Sequence, residues 1–200
     1  QKNFIGIDRK GARLWTGSVQ AQELSLNNVA FLRFDISFIA EVFGSGEISE
    51  IWITFPDPQP KNRQIKKRLT NPRFLKMYDN LLEDDGVIHL KTDNLSFYDY
   101  TLEIIEQGGH ELQLCTNDLY HSDFTDPFLS IKTCYEKKFL EQGMPITYLR
   151  FKPWYPSWIQ RRAEISFLKR NNHCPRLKHG HSGFQLIWVH CQLPKRCLYI

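Results

Sequence analysis

Short apolar runs alternate with longer amphipathic stretches along the first 150 residues of the chain. The apolar runs are rich in β-branched and aromatic residues and predict strands, whereas the stretches between them have the spacing of amphipathic helices. Asn71 before Pro72 is a typical helix start, and Gly86 is the predicted end of that helix. This alternation predicts an α/β fold with a Rossmann-like, mostly parallel sheet. The predicted strands cover residues 3–8, 29–34, 51–55, 87–92, 111–116 and 146–151, and the predicted helices cover about 10–26, 38–43, 72–85 and 97–107.

Carboxylates stand at or just after the ends of four predicted strands: Asp8, Asp35, Asp57 and Asp93. Because ligands of open α/β sheets bind outside the carboxyl ends of the strands, we expect these acids to have functional roles. An acid in the position of Asp8 hydrogen-bonds ribose hydroxyls in nucleotide-binding βαβ units. The sequence contains no G-x-G-x-x-G loop and no P-loop. It therefore predicts the ribose side of a nucleoside site without the phosphate or methionine side.

The segment after the third predicted strand combines a rigid acid with basic residues. Pro56, Pro58 and Pro60 stiffen the backbone around Asp57, which fixes this carboxylate in place. The chain from Pro58 to Tyr78 carries no acid. Such a segment favours binding to a phosphate-bearing polymer over the alternative of a charged surface that contacts only solvent. Its basic residues include Lys61, Arg63, Lys66, Lys67, Arg68 and Arg73.

Composition argues against a disulfide-bonded or membrane-spanning protein and suggests a domain boundary. Five Cys without a regular spacing favour a reducing cytoplasm over a disulfide framework, and no apolar run is long enough to span a membrane. Residues 1–151 hold 17 Lys and Arg against 21 Asp and Glu, a net charge of −4, whereas residues 152–200 hold 9 against 1, a net charge of +8. We therefore predict a main domain over residues 1–151 and a basic tail over 152–200.

Four sequence motifs make the chain recognisable. They are F-P-D-P-Q-P-K, H-L-K-T-D, K-T-x-Y-E-x-K-F and G-x-P-I-x-Y-L-R-F, in this order between Phe55 and Phe151. With these motifs the chain resembles the bacterial tRNA (guanine-N7-)-methyltransferase family from about Asn3 to Phe151. The resemblance implies a methyltransferase sheet whose last strand is antiparallel, and here the first strand and glycine loop of that fold are missing. It also implies a cytoplasmic enzyme, monomer or homodimer, that methylates guanine 46 of tRNA with S-adenosylmethionine.

The resemblance also implies roles for individual residues. Asp8 and Asp35 match cofactor-binding acids, and Asp57 matches an acid that is catalytic and borders the cofactor. Independently of the resemblance, the charge pattern of the basic segment predicts contacts to tRNA phosphates from Lys61, Arg63, Lys66, Lys67 and Arg68. The positions that match substrate-binding residues of the family are Lys61, Asp93, Thr133, Cys134, Tyr135 and Glu136.

The chemistry of the implied reaction suits an acidic site. Guanine N7 is an unprotonated lone pair, so attack on a methyl group needs no base and leaves a positive charge on the purine. Carboxylates stabilise that charge and accept hydrogen bonds from the donors on the Watson–Crick edge of guanine. We expect Asp57, Asp93 and Glu136 to share these tasks, without a metal. The alternative is a tRNA-binding fragment that cannot methylate because half of its cofactor site is missing.

The tail has no counterpart in the family. Residues 157–170 are predicted to form a helix, and the residues beyond it are predicted to be disordered. A basic RNA-binding extension and a non-native end remain equal alternatives. Zinc is disfavoured because the spacing of the tail's His and Cys residues matches no zinc-binding pair.

Overall fold

The computed structural model describes residues 2–124, 126–155 and 186–191. The described residues form seven strands, β1 (Asn3–Asp8), β2 (Val29–Arg33), β3 (Ile48–Thr54), β4 (Leu82–Thr92), β5 (Glu111–Thr116), β6 (Thr147–Lys152) and β7 (Leu186–Cys191). These strands lie in one sheet in the order β2-β1-β7-β3-β4-β6-β5. β1 is parallel to β2 and β3 is parallel to β4, whereas β6 and β7 run antiparallel to both of their neighbours. The predicted α/β sheet and its antiparallel β6 are confirmed.

In the described part of the chain, four α-helices connect or cover these strands: α1 (Gly11–Glu23), α2 (Pro72–Leu81), α3 (Leu95–Gly108) and α4 (Cys134–Glu141). The Asn71 side chain accepts a hydrogen bond from the Arg73 amide and so caps α2, as the Asn-Pro pair predicts. The predicted end of α2 at Gly86 is wrong. The helix stops at Leu81 because Leu82 already pairs with Ile48 in the sheet, and Gly86 lies inside β4.

The two faces of the sheet have different environments because successive side chains of a strand point to opposite sides. Ile51, Ile53, Ile88 and Leu90 belong to the main core with α2 and α3. His89 lies between Ile88 and Leu90 in β4 and stacks on Trp52, with 3.9 Å between the ring centroids. A smaller cluster on the second face contains Leu119, Leu129, Tyr148 and Trp52.

Strand β7 lies in the middle of the sheet, between β1 and β3. Its backbone pairs Ile187 with both Ile7 and Ile53. The predicted disorder of the tail is therefore wrong for residues 186–191, whereas the predicted helix at 157–170 lies outside the described residues. The division after Phe151 stays a prediction, although β7 comes from beyond it. Within the described part of the chain, no helix has the length and hydropathy needed to cross a bilayer.

Candidate active site at the carboxyl edge of the sheet

Asp57 lies on a tightly folded loop that follows β3. Phe55 and Gln59, on either side of this loop, have positive φ angles of 50° and 47°, a backbone conformation that costs free energy in residues other than glycine. The Asp57 carboxylate accepts a hydrogen bond from the Gln59 amide over 3.0 Å. The Asp57 side chain is half-buried, so its position is fixed while part of it still faces solvent.

Arg68 holds this loop from the side. Its Nε donates to the carbonyl oxygen of Pro58 over 3.1 Å, and its second terminal nitrogen, Nη2, donates to the carbonyl oxygen of Gln59 over 3.3 Å. The guanidinium also lies 4.2 Å from the centre of the Tyr100 ring, a cation–π contact. Two nitrogens of the Arg68 guanidinium, Nε and Nη2, thus bind the protein backbone, and its expected phosphate contact stays a prediction.

Asp93 follows the neighbouring strand β4. The register pairs Thr54 with Lys91, so Asp57 and Asp93 leave adjacent strands at the same edge of the sheet, as predicted. The Thr147 hydroxyl donates to the carbonyl oxygen of Thr92 over 2.7 Å and anchors the backbone just before Asp93. Asp93 is half-buried and makes a further polar contact.

Asp8 and Asp35 lie together on the other side of β7, at the ends of β1 and β2. Asp8 is only 4% exposed, and its two carboxylate oxygens bind the Lys10 amide and the Arg13 guanidinium, each over 2.8 Å. Asp35 is more accessible and contacts Arg9 over 3.4 Å. The amide of Ser37 donates to Asp35, which lowers the pKa of this carboxyl. Strand β7 thus separates the Asp8 and Asp35 pair from Asp57 and Asp93.

Glu136, a substrate-binding candidate from the sequence, is buried inside the protein. Its side chain is fully buried, and its Oε1 lies 2.6 Å from the ammonium of Lys91 in β4. The Tyr120 hydroxyl donates to the same oxygen over 2.5 Å, and the Thr133 amide donates to Oε2 over 3.0 Å. In this structure the Glu136 carboxylate binds the protein itself, and direct binding of substrate by Glu136 stays a prediction.

The start of α4 contains the other residues of the T-x-Y-E motif. The Thr133 hydroxyl accepts the Glu136 amide over 3.2 Å, which completes a capping box. Cys134 is the first residue of α4, and Tyr135 is half-buried beside it. Phe139 on the same helix lies 5.9 Å from the Phe55 ring, so α4 packs beside the Asp57 loop.

The basic segment after the Asp57 loop forms a short 3-10 helix, Asn62–Lys67. Four of its five predicted RNA-contacting residues have exposed side chains: Lys61, Arg63, Lys66 and Lys67. The exception is Arg68, which is half-buried. The structure thus places an exposed cationic surface next to the half-buried Asp57.

Sequence reasoning missed the partners that organise this edge, namely Arg13, Lys91, Tyr100 and Tyr120. For Lys91 a signal was available, because it is a charged residue inside an otherwise apolar predicted strand. Arg13, Tyr100 and Tyr120 contact residues in other elements, which local patterns do not reveal. Of the His and Cys residues in the tail, His190 and Cys191 lie in β7, and the others lie outside the described residues.

Comparison with known proteins indicates a methyltransferase. A family model described as "Putative methyltransferase" matches residues 1–149. A tRNA (guanine-N(7)-)-methyltransferase of Christiangramia forsetii is 51% identical over 152 residues, which are 76% of this chain and 68% of that protein. A protein of the same name from Bacteroides fragilis is 47% identical over 75% of this chain and 59% of its own length.

The fold has relatives among solved structures as well. A methyltransferase homolog from Pyrococcus horikoshii superimposes with a TM-score of 0.50 and 16% sequence identity, over 74% of this chain and 52% of that one. This likeness supports the fold alone, whereas the sequence relatives and the family model identify the family. The chain belongs to the tRNA (guanine-N(7)-)-methyltransferase family of methyltransferases.

Proposed function

We propose that this chain methylates N7 of guanine 46 in the variable loop of tRNA, with S-adenosylmethionine as the methyl donor. The observation that carries the proposal is Asp57, a half-buried carboxylate on a constrained loop at the carboxyl edge of the sheet. Exposed Lys61, Arg63, Lys66 and Lys67 adjoin it, and Asp93 follows the adjacent strand. Membership of the family supports the reaction and the cofactor.

Asp57 suits the electrostatic demand of this reaction. Guanine N7 attacks as a neutral lone pair, and the purine gains a positive charge as the bond to the methyl group forms. A carboxylate that is already fixed in position stabilises this charge without reorganising. We assign to Asp93, which follows the adjacent strand, the task of accepting hydrogen bonds from the N1–H and N2–H₂ groups of an unstacked guanine.

We propose that Asp8 and Asp35, at the ends of β1 and β2, bind the ribose of the methyl donor, which requires that Arg13 leaves Asp8. The Asp35 carboxylate is partly exposed, with 39% of its side chain accessible. Asp8 is buried by Arg13 and binds ribose hydroxyls only once this guanidinium moves away. S-adenosylmethionine supplies an electrophilic methyl group when bound; the task of Asp8, Asp35 and Asp57 is to hold it in place.

tRNA is the proposed partner, and its phosphates are the proposed ligands of the exposed basic side chains. Each phosphate contact adds about 0.9 or less to the slope of log affinity against log salt concentration. Replacing Lys66 and Lys67 by Ala is therefore expected to flatten this slope without changing the affinity for S-adenosylmethionine. We further propose that Thr133, Cys134 and Tyr135 border the guanine, and that the enzyme is cytoplasmic, as a monomer or homodimer.

The test compares Asp57→Asn with Asp99→Asn, an equivalent change at an exposed acid of α3. Loss of a pre-organised electrostatic group lowers turnover by about 10²-fold or more. Methylation of unmodified tRNA by Asp57→Asn is expected to fall by that factor, with tRNA affinity retained, whereas Asp99→Asn matches the wild type. Turnover near the wild-type value in Asp57→Asn would contradict the assignment.

One observation favours the second candidate, a tRNA-binding fragment without methylation activity. Arg13 occupies the Asp8 carboxylate that would otherwise receive the ribose. This candidate predicts salt-dependent tRNA binding by the wild-type chain but neither methyl transfer nor S-adenosylmethionine binding in calorimetry. Detectable methyl transfer to guanine N7 would exclude it.

A further inference from the structure

Lys91 is a buried cation that neither the proposed reaction nor the RNA-binding surface uses. It is 4% exposed and projects from β4, two residues before Asp93. We infer that Lys91 is a positioning residue: through its ion pair with Glu136 it fastens the segment 126–133 and the start of α4 to the carboxyl edge of the sheet. This segment is called the substrate loop below, and its role in methylation rests on the proposed function.

The contacts of the Lys91 ammonium all lead to this loop or to its neighbours. The nitrogen lies 2.6 Å from Glu136 Oε1 and donates to the carbonyl oxygens of Leu129 and Ile131, each over 3.4 Å. It also lies 3.5 Å from the Tyr120 hydroxyl. An ammonium group has three hydrogens, so Lys91 can bind the middle of the loop and Glu136 of α4 at one point.

The Glu136 carboxylate connects the start of α4 to Lys91 and to the end of the substrate loop. Its Oε1 accepts from Lys91 and Tyr120, and its Oε2 accepts the amide of Thr133, where the substrate loop ends. Burial lowers the pKa of Lys91, and the hydrogen bond and charge of Glu136 work in the opposite direction. Each ion therefore depends on the other, because removing one partner leaves a buried charge without compensation.

The Lys91 backbone connects the same cluster to Asp57. Its carbonyl oxygen accepts the amide of Phe55 over 2.8 Å, at the residue where β3 turns into the Asp57 loop. The Phe55 ring packs against Phe139 of α4. A displaced Lys91–Glu136 pair would thus move the substrate loop relative to both Asp57 and Asp93, whereas the core on the opposite face would stay packed.

The test uses the full chain and four variants: Lys91→Met, Glu136→Gln, the double variant of both, and Lys137→Met as a matched control. Lys137 is an exposed lysine on α4. Two quantities are measured, the amide hydrogen exchange of residues 126–136 and the kcat and KM for tRNA methylation. Exchange needs no catalysis, so it tests the positioning role even where the wild type transfers no methyl group, a result that would refute only the proposed function.

Lys91→Met is expected to raise exchange in the substrate loop at least tenfold, with β3 and β4 still protected, and to lower kcat/KM. The double variant removes both buried charges and is expected to regain loop protection and at least tenfold of the lost kcat/KM. Lys137→Met is expected to match the wild type in both measurements.

Two results would overturn the inference. One is unchanged loop exchange in Lys91→Met. The other is a loss of methylation in Glu136→Gln with full loop protection and no recovery in the double variant, because this pattern means that the carboxylate itself binds substrate. If Lys91→Met does not fold, Tyr120→Phe replaces it: loss of one hydrogen bond to Glu136 should raise loop exchange measurably, and unchanged exchange would count against the inference.

Discussion

The stability of the fold is expected to fall as the pH drops from 7 to 5, because His89 is buried in its neutral form. The His89 ring is 3% exposed and stacks on Trp52, and its Nδ1 lies 2.9 Å from the Tyr148 hydroxyl. Burial lowers the pKa of His89 to about 3, and the positive charges of Arg150 and Lys2 add to this effect. The carboxylate of Glu50, 3.7 Å from Nε2, acts in the opposite direction.

The size of the effect follows from proton linkage. An unfolded histidine has a pKa of about 6.5, so between pH 6.5 and about 3 the unfolded chain binds a proton that the folded chain does not. Stability therefore increases with pH across this window and is lost as the pH falls. From pH 7 to pH 5 the loss is about 2 kcal/mol, since each pKa unit corresponds to about 1.4 kcal/mol. The Glu50 carboxyl, whose pKa is lowered, titrates below this interval.

The assay is urea unfolding at pH 7 and pH 5, followed by tryptophan fluorescence. Wild type is expected to lose about 2 kcal/mol between the two values, whereas His89→Phe, which keeps an aromatic ring against Trp52, should lose much less. His121→Gln is the control, because the His121 side chain is 83% exposed. Equal losses in wild type and His89→Phe would refute the reasoning, because the acid sensitivity would then come from other groups.

Three further predictions concern the core, the Asp57 loop and the centre of the sheet. The Tyr78 hydroxyl is buried without a hydrogen-bond partner among the described residues, so Tyr78→Phe should keep or raise the urea midpoint; a clear decrease would contradict this. Arg68→Ala should lower kcat about tenfold by freeing the Asp57 loop, whereas Lys66→Ala should weaken tRNA binding without this effect on kcat. Removing residues 156–200 should lower the urea midpoint and cause aggregation visible in light scattering, because β1 and β3 then have unpaired edges; an unchanged midpoint would argue against pairing by β7.

Local patterns predicted six strands and the helices between them, since each strand is a short apolar run next to an amphipathic stretch. They failed where distant pairing decides the structure. Gly86 resembles the end of a helix, yet it lies inside β4, because Leu82 already pairs with Ile48 in the sheet. Cys115 lies in the predicted strand 111–116, yet its side chain is exposed because β5 is an edge strand of the sheet.

The candidate site shows the same division between local and distant effects. The positions of Asp57 and Asp93 at strand ends were predictable, because the ends of parallel strands meet at one edge. Their supports were not, since Lys91 contacts Glu136 and Arg68 contacts the Pro58 carbonyl across gaps in sequence. Cationic residues that look alike in sequence thus differ in their contacts, and burial decides which of them are exposed to solvent.

The central position of β7 has a consequence for the order in which the protein assembles during synthesis. The strands on either side of it, β1 and β3, precede it in the chain: β3 ends at Thr54, whereas β7 begins only at Leu186. Ribosomes add about 5–20 residues per second, so the two halves of the sheet wait several seconds before the strand between them leaves the ribosome. During this interval the facing edges of β1 and β3 have no partner strand from β7, so the nascent chain is expected to be most prone to aggregation at this stage.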